Sequence, residues 1–119
     1  MPAPSPYFNA VVDREVVIVR FNRSDVVDGS YIERLGDDLD AHLLSRKEPR
    51  VVIDLGQVDQ LSSTALGMMV KLNVSLTRAD GGLRLANVSK DLRKIFKLTN
   101  LHKVLSIHDS VDKAVDDLL

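Results

Sequence analysis

Val51-Val52-Ile53-Asp54-Leu55-Gly56-Gln57-Val58-Asp59-Gln60-Leu61-Ser62-Ser63-Thr64-Ala65-Leu66-Gly67 passes from an apolar run through a short loop into three consecutive hydroxyl residues. The β-branched run Val51 to Leu55, preceded by Pro49, reads as a strand of a covered parallel sheet. Gly56 marks the exit from it. From Ala65 onward, Ala65, Met68, Met69, Leu72 and Leu76 recur at three- and four-residue steps, the stripe of an amphipathic helix. Ser62, Ser63 and Thr64 therefore open that helix. A hydroxyl here can cap the helix by accepting an amide bond, worth about 1 kcal/mol. The same helix end, with free amides and a partial positive charge, would also receive a phosphate well. Spacing alone leaves both uses open.

Outward from this stretch, strands and helices alternate. Phe8 to Val12 and Val16 to Phe21 read as a hairpin around Asp13-Arg14. Ile32, Leu35, Leu39 and Leu43 share a helix face, with Asp28 or Ser30 as its cap and Glu33, Arg34, Asp37 and Asp38 turned to water. Asp80-Gly81-Gly82 turns into a strand over Leu83 to Ala86, and Ser89 or Asn87 opens a helix with Leu92, Ile95 and Phe96 inward. Val104 to Ile107 reads as the last strand. Ser110 then caps a helix that buries Val111, Ala114, Val115 and Leu118. Alternation of this kind predicts right-handed crossovers, a largely parallel sheet and the α/β class. The proline-rich residues 1–7 are expected to be a disordered tail, and 8–119 one folded domain.

Composition narrows the function. The 119 residues are 45% hydrophobic and 28% charged, with a formal net charge of −1 and no cysteine. That charge argues against nucleic acid or an anionic membrane surface as a partner. No apolar run approaches the ~18 residues that span a bilayer. The absence of cysteine excludes disulfides and thiolate metal sites and fits a reducing cytoplasm. His42, His102 and His108 lack metal-ligand spacing, and no nucleophile and base or nucleotide fingerprint is evident, so no metal, cofactor or enzyme activity is expected. Lys90, Arg93, Lys94 and Lys97 form a basic helical stripe, either a solvated face or a docking surface for an acidic partner.

The stretch from Asp54-Leu55 to Leu66-Gly67 resembles the signature of the STAS domain family, the bacterial anti-sigma factor antagonists. Gly81 to Val88 and Ile95 to Leu101 resemble the family's next strand and the helix end after it. Ser62 stands where most members carry Asp, and Ala65 where most carry Gly. The resemblance implies a four- or five-stranded mixed sheet with about four helices, mainly on one side. It implies that Ser63 is the phosphorylated serine, with Thr64 and Ser62 as lesser candidates. Asp28, Ser62, Ser63, Thr64, Leu66 and Gly67 would then form the partner-binding surface. The implied partners are an anti-sigma factor with serine kinase activity, which supplies the ATP site, and a serine phosphatase that resets the switch. The chain would be their substrate, a monomer or weak dimer. The alternative is an unphosphorylated STAS module that scaffolds a signalling complex.

Overall fold

A computed structural model describes residues 5–119. In chain order the elements are β1 (Phe8–Asp13), β2 (Val16–Phe21), β3 (Asp25–Val26), α1 (Gly29–Leu43), β4 (Arg50–Asp54), β5 (Gln60–Leu61), α2 (Ser63–Arg78), β6 (Gly82–Ala86), α3 (Lys90–Leu98), a 3-10 turn (Leu101–Lys103), β7 (Ser106–His108) and α4 (Val111–Leu118). The main sheet runs β1-β2-β4-β6-β7, with β1 antiparallel to β2 and the remaining pairs parallel. β3 and β5 form a separate two-stranded parallel ladder.

Side-chain alternation along the strands splits the interior in two. Val17, Val19 and Phe21 of β2 and Val51 and Ile53 of β4 face the larger core, while Val16, Ile18 and Val52 face the smaller one. A central sheet apolar on both sides needs cover on both. From β2 through β4 and β6 to β7 the strand order advances in one direction. Right-handed crossovers therefore place α1, α2 and α3 on the same face. Leu35 and Leu39, Met69 and Leu72, and Leu92 and Phe96 bring those helices into the larger core. α4 follows the last strand, is not a crossover, and packs Ala114 and Val115 onto the other face. Ion pairs from Arg84 to Asp117 at 2.5 Å and from Arg14 to Asp116 at 2.9 Å hold its outer side.

The helix starts resolve the capping alternatives. Asp28 caps α1, accepting from the amides of Ser30 at 2.9 Å and Tyr31 at 3.2 Å. Ser89 caps α3 and Ser110 caps α4 through the amides of Leu92 and Lys113. At the end of α2, Asp80 takes the left-handed conformation, and the Gly81 amide donates to the Leu76 carbonyl at 2.8 Å. Gly81 is required by a close approach, since a Cβ there would lie 1.8 Å from the Pro49 carbonyl oxygen.

Three local expectations shift. The hairpin turn falls on Arg14 and Glu15, both at positive φ as a two-residue type I′ turn demands, one residue beyond Asp13-Arg14. Asn100, also left-handed, ends α3 and starts the 3-10 turn, so Val104 is exposed and the last strand begins at Ser106. Of the expected tail, residues 1–4 lie outside the described residues. Ser5 and Tyr7 are tied to α1: the Ser5 hydroxyl donates to the Asp38 carboxylate, and the Tyr31 hydroxyl donates to the Tyr7 carbonyl.

Candidate functional site

The β3–β5 ladder builds the site. Asp25 and Val26 align with Gln60 and Leu61, and the Ser62 amide donates to the Val26 carbonyl at 3.1 Å. The loop before α1, with Asp28, is thereby fixed beside the loop before α2, with Ser62, Ser63 and Thr64. One oxygen of Asp28, Oδ1, takes the two cap amides and the Ser30 hydroxyl. The Ser30 hydroxyl and these amides hold the Asp28 carboxyl below the usual carboxylate range.

At the start of α2 the three hydroxyls separate. Ser62 is half-buried and is the cap, its Oγ accepting from the Ala65 amide at 3.1 Å. Ser63 and Thr64 are exposed, and neither hydroxyl has a hydrogen-bond partner among the described residues. Asp and Ser are both preferred caps, so Ser62 performs the local structural task that an Asp at this position performs. The amides of Ser63 and Thr64 precede the first intrahelical bond, from Leu66 to the Ser62 carbonyl. The end of α2 thus presents free donors and partial positive charge next to a free hydroxyl.

The loop entering this site is anchored at Asp54. Burial pushes its carboxyl up, but bonds from Asn87 at 3.1 Å, the Gly56 amide at 2.9 Å and Arg20 at 2.8 Å outweigh burial and hold it below the usual range. Arg20 and Asn87 escape a motif-led reading of the sequence. Arg20 does leave a signal, as the one charged residue inside the otherwise apolar β2.

The remaining candidates are dispersed. Leu66, expected on the partner surface, is 6% exposed and belongs to the larger core. The inward stripe of α2 is Ala65, Leu66, Met69, Leu72 and Leu76, and Met68 is only half-buried, one step off the sequence-predicted stripe. Gly67 is exposed. In the basic stripe, Arg93 is half-buried and bonded to Asp109 at 2.9 Å and to the Val88 carbonyl, which removes it from a free docking face. Lys90, Lys94 and Lys97 are exposed and hold no ion pair among the described residues. No group of three or more potential metal-ligating side chains occurs among the described residues, and no described helix is long and apolar enough to cross a membrane.

Fold and site together define a small α/β domain that offers a capped helix end as its exposed chemical feature. The STAS domain profile matches residues 7–114, and the chain belongs to that family. It is 28% identical over 89 residues to BtrV of Bordetella bronchiseptica, named as a candidate anti-sigma factor antagonist, across 75% of this chain and 76% of that protein. A similarly named Thermotoga maritima protein is 23% identical over 75 residues, 63% of this chain and 66% of the relative's length. The crystal structure of a Thermotoga maritima protein described in the same way superposes with a TM-score of 0.80 at 17% identity over 93% of each chain. The anti-sigma factor antagonist SpoIIAA, solved unphosphorylated, gives a TM-score of 0.68 at 18% identity over 92% of this chain and 94% of that one. Its phosphorylated form, described as a Bacillus cell fate determinant, gives the same score and identity over 94% and 99%. The chain has the fold of solved anti-sigma factor antagonists.

Proposed function

We propose that this chain is a partner-switching anti-sigma factor antagonist. In the unmodified state the surface around Ser63 binds an anti-sigma factor with serine kinase activity and so frees a sigma factor. Phosphorylation of Ser63 then ejects the partner, and a serine phosphatase restores the binding form. The exchange takes place in the cytoplasm, and the chain acts as a monomer or weak dimer. The observation that carries this reading is the division of labour at α2: Ser62 holds the cap, which leaves the Ser63 hydroxyl exposed and unbonded at the positive helix end. A phosphate there adds nearly two negative charges to a surface that the partner must desolvate. A penalty of about 3 kcal/mol lowers affinity about a hundredfold. The existence of SpoIIAA in unphosphorylated and phosphorylated forms supports the same chemistry here.

The second reading is an unphosphorylated scaffold module, and Ser62 favours it, because the carboxylate most members carry beside the modified serine is missing. Phosphopeptide mass spectrometry of the chain from its native host separates the two. The switch requires phosphate on Ser63 whose occupancy changes between growth and stress, with Ser63→Ala retaining the kinase partner and Ser63→Asp losing it while folded. A Ser63 that is unmodified in every condition, with both variants binding equally, selects the scaffold.

A further inference from the structure

The two long helices leave a groove between them that internal packing does not fill. It runs from Thr64 between α1 and α2, with a cavity volume of about 400 Å³. Its floor is aliphatic, from Ile32, Leu39, Met68 and Leu72. Its α1 rim carries Glu33, Asp37 and Asp40, opposed by the single ammonium of Lys71 on α2. All three carboxylates are exposed residues, and none holds an ion pair or a side-chain hydrogen bond among the described residues. Burial against the groove wall pushes the Asp40 carboxyl up, against the pull of Lys71.

The groove is kept open by glycine in the interiors of both helices, Gly36 in α1 and Gly67 in α2. Glycine weakens a helix interior, so its presence calls for a reason. Backbone conformation supplies none, because no glycine has positive φ. Packing supplies little: a Cβ at Gly67 would meet nothing within 4 Å, and one at Gly36 would press only on the flexible Met68 side chain at 3.3 Å. Both positions leave room for something outside the chain.

The geometry points to a docking groove for a helical segment of the protein partner that presents an aliphatic side chain flanked by lysine or arginine. The aliphatic group fills the floor, the cations meet the acidic rim, and the bare glycine backbone allows close approach. This inference rests on the chain working by docking to a protein, and not on phosphorylation of Ser63, which lies outside the groove lining.

The test is an amide NMR titration of the full-length Ser63→Ala chain, which cannot carry phosphate at that position, with a capped synthetic helical peptide bearing Leu and Arg on one face. Saturable shifts are expected at Gly36, Gly67 and Met68, with affinity about tenfold weaker in high salt and about tenfold weaker for the matching Leu/Glu peptide. Gly67→Leu fills the groove, should melt no lower than its parent, and should lose peptide binding. Absence of shifts at about 1 mM peptide, equal binding of the Leu/Glu peptide, or unchanged binding by folded Gly67→Leu would each overturn the groove. Peptide binding in a protein whose Ser63 is never phosphorylated would overturn the switch and leave the groove standing.

Discussion

A hydroxyl that holds a helix cap is guarded from modification, because an enzyme must first break the cap to reach it. Ser62 is held in this way and Ser63 is not. Ser62→Ala should therefore destabilise the domain by about 1 kcal/mol, while Ser63→Ala should change stability by less than about 0.5 kcal/mol. Thermal unfolding reads the difference as a Tm lower by roughly 4 °C for the first variant alone. Equal losses would mean that the cap is shared and Ser63 is not free. From sequence, Ser62 and Ser63 are equally acceptable caps, and only backbone geometry selects one. Leu66 was misassigned to the surface for a related reason: a signature marks residues that matter without saying which of them point outward.

At the scale of elements, the site depends on the loop from Asp54 to Ser62 being held at both ends, by the Asp54 bonds at its start and by the β3–β5 ladder at its finish. Because the folded carboxyl of Asp54 lies below its ordinary value near 4, its contribution is present above that value and is lost as pH falls through the folded one. Asp54→Asn should cost about 2 kcal/mol near neutral pH, by removing the ionised acceptor of Arg20. It should also flatten the loss of stability below about pH 4. Urea unfolding at pH 7 and pH 3 checks this: a variant that loses stability with acid as steeply as its parent would remove Asp54 from the acid limb. Asp28 and Asp117, also held below the usual range, would then carry that limb. The four helical segments are legible because periodicity accumulates over many residues, and the strands β2 and β4 because each is a short β-branched apolar run, the second read one residue late, as Val51 to Leu55 against Arg50–Asp54. Two-residue strands such as β3 and β5 carry no period, so the ladder itself leaves no signal in the sequence, and only the family resemblance puts Asp28 on one surface with Ser62.

For the whole molecule, the α/β class and a largely parallel sheet follow from alternation and crossover handedness, while the mixed sheet and the common side of most helices are legible only through the family resemblance. The partition of the interior was not legible, because Val16 and Val17 are equally apolar and only the finished sheet separates them. The smaller core depends on α4, which contributes Ala114 and Val115 as buried residues, packs Val111 and Leu118 beside them, and is tied outside by ion pairs to Arg14 and Arg84. A chain truncated after Asp109 should uncover Val16, Ile18, Val52 and Ala86, bind a hydrophobic dye and unfold without a sharp transition. A cooperative melt within a few degrees of the full chain would show that the larger core suffices. The position of α4 also sets a timetable for biosynthesis. The strands it shelters are made early and their cover late, so a nascent chain exposes one face of its central strands until Leu118 has left the ribosome. Chaperone capture should concentrate in that interval, and slowing translation should lengthen it.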